Sequence, residues 1–225
     1  NLFIGMVAYE KGDYKTALTI FEDLAKKGDI DAQYNLGLMY DNGYGVKQDY
    51  KKAFEWYEKA ANQGIANAQH NLGVMYERGQ GVKQDYKKAI EWYEKAANQG
   101  YALAQYNLGL MYLDGLGVKQ DYKKAIEWYE KAAAQGYVDA QYNLGLIYLN
   151  GDRVEQDLEK AFNWYEKAAN QGNAEAQFGL GTMYMNGDGV KQDLEKAFEC
   201  FEKAANQGFV AAQYNLGLMY RNGDG

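Results

Sequence analysis

From Tyr50 to Gln63 the apolar residues Tyr50, Ala53, Phe54, Trp56, Tyr57, Ala60 and Ala61 alternate irregularly with Lys51, Lys52, Glu55, Glu58, Lys59, Asn62 and Gln63. At roughly 100° per residue the first set gathers into one arc and the second fills the remainder, which predicts an amphipathic α-helix. Asp49 precedes the pattern as an N-cap whose carboxylate can accept from unpaired backbone N–H groups. Gly64 follows it and stops the helix in the left-handed conformation that costs Gly nothing. Glu55 stands four residues before Lys59, a favourable helical pair that recurs as Glu91/Lys95 and Glu127/Lys131.

The preceding segment has a different pattern. Ala32, Leu36, Met39 and Tyr40 share one side of a helix, while Tyr34 and Leu38 fall opposite, near Asp31 and Asp41. A helix apolar on two faces is either sandwiched or lines a groove. Gly37 sits mid-helix, where it costs about 1 kcal/mol against Ala, so another backbone is expected to pack very close there. Asn42-Gly43-Tyr44-Gly45 then turns the chain toward Asp49.

Both patterns return. Ala32–Tyr40 reads AQYNLGLMY and recurs with small changes from Ala68, Ala104, Ala140, Ala176 and Ala212, always 36 residues apart. The block DYKKAFEWYEKAANQG recurs from Asp85, Asp121, Asp157 and Asp193. Fixed self-similarity at this period predicts an all-α fold, an α-solenoid of stacked antiparallel helix hairpins.

Composition narrows what such an array can do. The 225 residues contain no Pro, 26 Gly and one Cys. Helices therefore run without proline breaks, and a disulfide framework or multi-cysteine metal site is excluded. A net charge of −7 and a pI near 4.9 argue against nucleic acid as a partner. Mean hydropathy of −0.62, with no long apolar run, argues against membrane insertion.

The pattern Ala-x-x-x-Leu-Gly-x-x-Tyr, then Gly-x-Gly-Val, then Asp-x-x-Lys-Ala-x-x-Trp-Tyr-x-Lys-Ala-Ala-x-x-Gly closely resembles the Sel1-like repeats, relatives of the tetratricopeptide repeats. The resemblance implies right-handed superhelical stacking, with first helices lining a concave groove and second helices on the convex back. It also implies a scaffold or adaptor role, often in bacterial systems. One cysteine-rich branch is linked to penicillin binding and β-lactamase activity, but it carries a disulfide in each repeat and this chain has only Cys200. Within one solenoid spanning 1–225, residues 1–28 resemble a shortened tetratricopeptide hairpin, 29–208 hold five repeats, and 209–225 are the first helix of an incomplete one.

The chain can be compared with itself. Asp49–Gln84 and Asp85–Gln120 agree at 28 of 36 positions. By the tetratricopeptide resemblance the inner-surface positions are Asn67, His70, Val74, Glu77 and Arg78, and all five are among the eight that change. The exposed Lys and Glu residues of the second helix do not change. Diversification of a binding surface explains that contrast, whereas solvent exposure alone does not. The expected partner-binding groove comprises Tyr34, Leu38, His70, Val74, Leu103, Tyr106, Leu110, Leu113, Tyr142, Leu146, Leu149, Phe178, Met185 and Tyr214. Its rims, Asp31, Asp41, Asp139 and Glu175, are acidic and suit a protein or peptide partner with basic residues. The competing reading is that the Tyr column only packs between neighbouring helices.

His70, the only imidazole, is expected to be a polar aromatic lining the groove, because no second ligand or nucleophile accompanies it. Cys200 occupies the slot of Trp56, Trp92, Trp128 and Trp164, and is read as a small packing group. The Gly-x-Gly turns follow helices and lack the rest of a phosphate-loop motif. Arg153 replaces the second Gly of the fourth turn, which predicts an irregularity there. No arrangement of side chains suggests catalysis, a metal or a cofactor. The expected function is a non-catalytic interaction scaffold that holds a peptide segment or helix of a partner. The alternative is a self-assembling spacer stacked through its final helix, and a remote one is a cell-wall or β-lactam-related enzyme. The first residue is Asn with no signal-like segment after it, so a processed chain, periplasmic or secreted, and a cytoplasmic one both fit. The uncapped last helix predicts further repeats or a capping helix in a longer protein.

Overall fold

The computed structural model describes residues 1–224 and folds them into thirteen α-helices, with no strand among the described residues. They are α1 (Leu2–Glu10), α2 (Tyr14–Lys26), α3 (Ile30–Asn42), α4 (Tyr50–Asn62), α5 (Ala66–Arg78), α6 (Tyr86–Asn98) and α7 (Ala102–Asp114). There follow α8 (Tyr122–Ala134), α9 (Val138–Asn150), α10 (Leu158–Asn170), α11 (Ala174–Asn186), α12 (Leu194–Asn206) and α13 (Val210–Asn222). They form two compact units, Asn1–Asp121 and the part from Tyr122 onward. In the first, the hairpins α1/α2, α3/α4 and α5/α6 stack in chain order, and α7 packs on α6. In the second, α8 packs on α9, the hairpins α9/α10 and α11/α12 stack, and α13 lies on α12.

The helix ends follow the chemistry of the repeat. Asp49, Asp85, Asp157 and Asp193 accept from the backbone N–H three residues on, at 3.1, 3.1, 3.0 and 3.0 Å. The second helices are strongly one-sided, burying Ala53, Tyr57, Ala60 and Ala61 in α4 and the matching residues of the others.

At Gly37 the close neighbour is a ring and not a backbone. A Cβ there would stand 2.5 Å from Cδ1 of Tyr57, a fully buried residue at the centre of α4. Gly73 meets Tyr93, Gly145 meets Tyr165, and Gly181 meets Phe201 in the same way. The repeat thus spends one glycine per first helix to seat one aromatic ring of the second, which keeps the two helices of a hairpin close.

The two helices of a hairpin are tied by glutamine. Gln63 donates to Gln33 Oε1 at 2.9 Å, and Gln99 donates to Gln69 Oε1 at 2.8 Å and to the Gly64 carbonyl at 2.9 Å. Gln171 and Gln207 repeat these bonds to Gln141 and Gln177. Gln33 and Gln69 in turn donate to the Ala25 and Ala61 carbonyls of the preceding hairpin, at 3.3 and 3.2 Å, so the stack gains register as well as apolar contact. The tryptophans are half-buried, and Lys59, Lys95, Lys131 and Lys167 lie 4.1, 4.1, 4.3 and 4.6 Å above the rings of Trp56, Trp92, Trp128 and Trp164. One turn of helix places each Lys over its Trp, covering apolar surface with a charge that stays in water.

The fourth turn is irregular, as Arg153 predicts. No non-glycine residue among those described has positive φ, so Arg153 cannot take the backbone conformation of Gly45, Gly81, Gly117 and Gly189. The bond that closes the other turns, such as Gln80 N–H to the Met75 carbonyl at 3.0 Å, has no counterpart from Asp152 to Ile147, and only the helix-capping bond from Gly151 to Ile147 is kept. The guanidinium instead rests 5.7 Å from the ring centre of Tyr122.

Candidate partner-binding face

The first helices present the face on which the sequence varies, and it is described unit by unit. In the first unit Tyr34 and Leu38 of α3, Val74 of α5, and Leu103, Tyr106, Leu110 and Leu113 of α7 are all half-buried. In the second unit Tyr142 and Leu149 of α9 and Phe178 and Met185 of α11 are half-buried. Leu146 of α9 is 36% exposed, and Tyr214 of α13 is 67% exposed.

The aromatic column does structural work. Tyr34 lies 5.9 Å from Tyr57, Tyr142 5.8 Å from Tyr165, and Phe178 5.6 Å from Phe201, each ring resting on the buried ring of its own hairpin. Phe178 also meets Phe209 at 5.2 Å. At Tyr34, Tyr142 and Phe178 the column therefore joins first helix to second helix.

His70 departs from the expectation of a residue lining the surface. It is buried, 5.6 Å from Tyr93 and 5.3 Å from Tyr101, and both ring nitrogens have amide partners. Nδ1 faces Asn71 Oδ1 at 3.2 Å and Nε2 faces Asn107 Nδ2 at 3.0 Å, so the tautomer with a proton on Nδ1 satisfies both. Burial pulls the imidazole pKa below its usual value, the Arg78 charge acts in the same sense, and the Asn71 bond opposes them. A shorter ring in the Tyr column sinks beneath the surface and lets two asparagines close over it.

Polar groups cluster beside it. The buried hydroxyl of Tyr57 donates to Asp41 Oδ2 at 3.0 Å, and Tyr93 donates to Glu77 Oε2 at 2.5 Å. Burial raises both phenol pKa values, and the neighbouring carboxylates add to the shift. Burial also raises Asp41, against the pull of Tyr57 and Arg78. A pocket of about 240 Å³ opens here, lined by Asp41, Asn42, Asn71, Val74, Arg78 and Gln80 among others. A larger one, about 530 Å³, is lined by Leu2 and Met6 of α1, Asp31 and Tyr34 of α3, and Ile65 and Asn67 at the start of α5. Leu2 and Met6 carry no groove signal in the sequence, because α1 lacks the repeat motif that aligns the other first helices. Among the described residues no group of three His, Cys, Asp or Glu side chains is placed to hold a metal, and no helix is long and apolar enough to cross a membrane.

On α13, Val210, Tyr214 and Tyr220 are largely exposed, and Gly217 faces open space where its counterparts meet a ring. Cys200 is half-buried, and burial pushes its thiol up to about 11.

Stacked helix hairpins with variable side chains on one face and repeated ones on the other define a repeat protein of the α-solenoid class. The Sel1 repeat pattern matches residues 30–65, 66–101, 102–137, 138–173, 174–209 and 210–225, and the chain belongs to the Sel1 repeat family. Its fold is similar to that of c5321, a protective antigen of uropathogenic Escherichia coli with an SLR fold, at a TM-score of 0.95 and 41% identity. That similarity covers 99% of this chain and 48% of the antigen, so the chain spans about half the antigen's length. A Sel1 repeat protein from Oxalobacter formigenes is similar at a TM-score of 0.87 and 40% identity, over 98% of this chain and 90% of that protein. No curated protein matches the chain. Sel1 repeat proteins are in general scaffolds for protein–protein interaction, and the family is generally non-catalytic.

Proposed function

We propose that the chain holds a peptide segment or helix of a partner protein against the face of its first helices. The observation that carries this reading is the exposed apolar strip of the second unit, Leu146 with half-buried Tyr142, Leu149 and Met185, bordered by exposed Asp139 and Glu175. Leu110 and Leu113 of the first unit, at positions that vary from repeat to repeat, belong to the same reading. An apolar strip with acidic borders is complementary to a segment that carries apolar anchors and Lys or Arg beside them. The second helices, faced with Lys and Glu that are the same in α4, α6 and α8, are the solvated back of the scaffold.

The reading is tested by measuring affinity for a captured partner with Leu110→Ala, Leu146→Ala and Tyr142→Ala, against Glu127→Ala on the opposite face. Loss of affinity in the first three, with Glu127→Ala unchanged, is expected. Folded variants that bind as tightly as the parent would refute the assignment. A second reading, favoured by the exposed Val210, Tyr214 and Tyr220 of α13, is association of copies through that helix. A strict monomer in light scattering at high concentration would exclude it.

A further inference from the structure

The hairpins α3/α4, α5/α6, α9/α10 and α11/α12 are closed by the same two contacts. A ring of the second helix sits on a glycine of the first: Tyr57 on Gly37, Tyr93 on Gly73, Tyr165 on Gly145 and Phe201 on Gly181. Five residues before that ring, a lysine lies over a tyrosine of the first helix. Lys52, Lys88, Lys160 and Lys196 stand 5.1, 5.5, 5.1 and 5.6 Å from the ring centres of Tyr40, Tyr76, Tyr148 and Tyr184. Small residues beside the ring let the helices approach, and Ala53, Ala60 and their equivalents in α6, α10 and α12 have no exposed surface.

α13 carries the first-helix half of both contacts. Gly217 stands where Gly37 and Gly181 stand, and a Cβ there would meet no described atom within 4 Å. Tyr220 takes the place of Tyr76 and Tyr148, which are 9% exposed, yet it is 71% exposed. Tyr214 takes the place of Tyr34 and Phe178, which rest on the seated ring, and it too is largely exposed. From Val210 to Tyr220 the helix has no charged residue. The face continues the interface of the preceding hairpins, and it offers an electron-rich ring at the place where a cation lies in the others.

We propose that α13 docks an amphipathic helix of a partner protein with the pattern Lys-Ala-x-x-x-Tyr/Phe-x-x-Ala, its aromatic ring seated on Gly217 and its lysine over the ring of Tyr220. The spacing is the one that the four hairpins share, so the face selects both groups together. Tyr214 then rests on the seated ring as Tyr34 rests on Tyr57. A second copy of this chain does not offer such a helix, because Tyr57, Tyr93, Tyr129, Tyr165 and Phe201 are all at most 2% exposed already. The partner's lysine approaches a chain of net charge −7, which favours it over an acid at the same place. The proposal does not depend on the strip around Leu146.

The probe is a labelled peptide with the sequence Asp193–Gln207, held helical by a lactam between the exposed Glu199 and Lys203, and titrated against the intact chain. A measurable Kd is expected. Phe201→Ala in the peptide should weaken it about tenfold or more, and Lys196→Ala about two- to fivefold. In the chain, Gly217→Ala should weaken binding about tenfold or more, because its methyl would meet the seated ring as one at Gly181 would meet Phe201, at 2.9 Å. That variant gains helix propensity, so its loss of binding reads the seat and not unfolding. Glu127→Ala should bind as the parent does. A helical peptide that does not bind, or that binds equally without its ring or to Gly217→Ala, would overturn the proposal. A dimer in light scattering that the peptide does not dissociate, and that Gly217→Ala abolishes, would give the face to a second copy and overturn it as well.

Discussion

Adding a methyl group to one glycine separates intrinsic helix propensity from the packing of the repeat. In an isolated helix Gly→Ala stabilises by about 1 kcal/mol. At Gly73 the new Cβ would stand 2.5 Å from both Cδ1 and Cε1 of Tyr93, roughly 1 Å inside ordinary contact. Tyr93 has no exposed surface and its hydroxyl is held by Glu77, so the ring cannot swing away and the hairpin must open. Overpacking of this kind costs about 1–3 kcal/mol. At Gly217 the same methyl meets nothing within 4 Å. The propensity gain is common to both sites, so Gly73→Ala should be less stable than Gly217→Ala, each relative to the parent, by the overpacking cost of about 1–3 kcal/mol. Because repeat arrays need not unfold as one unit, the assay is native-state amide exchange read in the substituted helix. Faster exchange in α5 for Gly73→Ala and slower exchange in α13 for Gly217→Ala are expected. If α5 in Gly73→Ala were protected as well as α13 in Gly217→Ala, the ring-on-glycine account of the hairpin would be wrong.

Lowering the pH from 7 toward 5 should destabilise the parent more than His70→Tyr. The folded imidazole pKa lies below the unfolded one, so its stabilisation is present above the unfolded value of about 6.5 and is lost as protons bind the unfolded chain first. Equal pH dependence of urea midpoints in the two proteins would contradict the neutral, amide-bound histidine. Cys200, with its thiol pushed up to about 11, should react with a thiol reagent at pH 8 far more slowly than after unfolding. Labelling at the unfolded rate would show that the thiol is open.

The relation between sequence and structure differs from residue to residue. Asp49 and Gly64 announce a helix because capping is local chemistry, and the period of 36 announces a stack because each hairpin can bury its apolar face only on the next. Arg153 announces its irregular turn, since a side chain at a left-handed glycine position is a conflict written in one letter. The burial of His70 is not legible in the sequence, because its closure depends on Asn107, 37 residues away, and on a shorter ring settling among longer ones.

The sequence by itself determined the helices, their caps, their order and the face that varies, because these follow from nearest-neighbour chemistry repeated at a fixed interval. Only the tertiary structure decided that Gly37 seats a ring and that His70 is buried. Those facts depend on side chains from different helices competing for the same few ångströms, and no periodicity records the outcome of that competition.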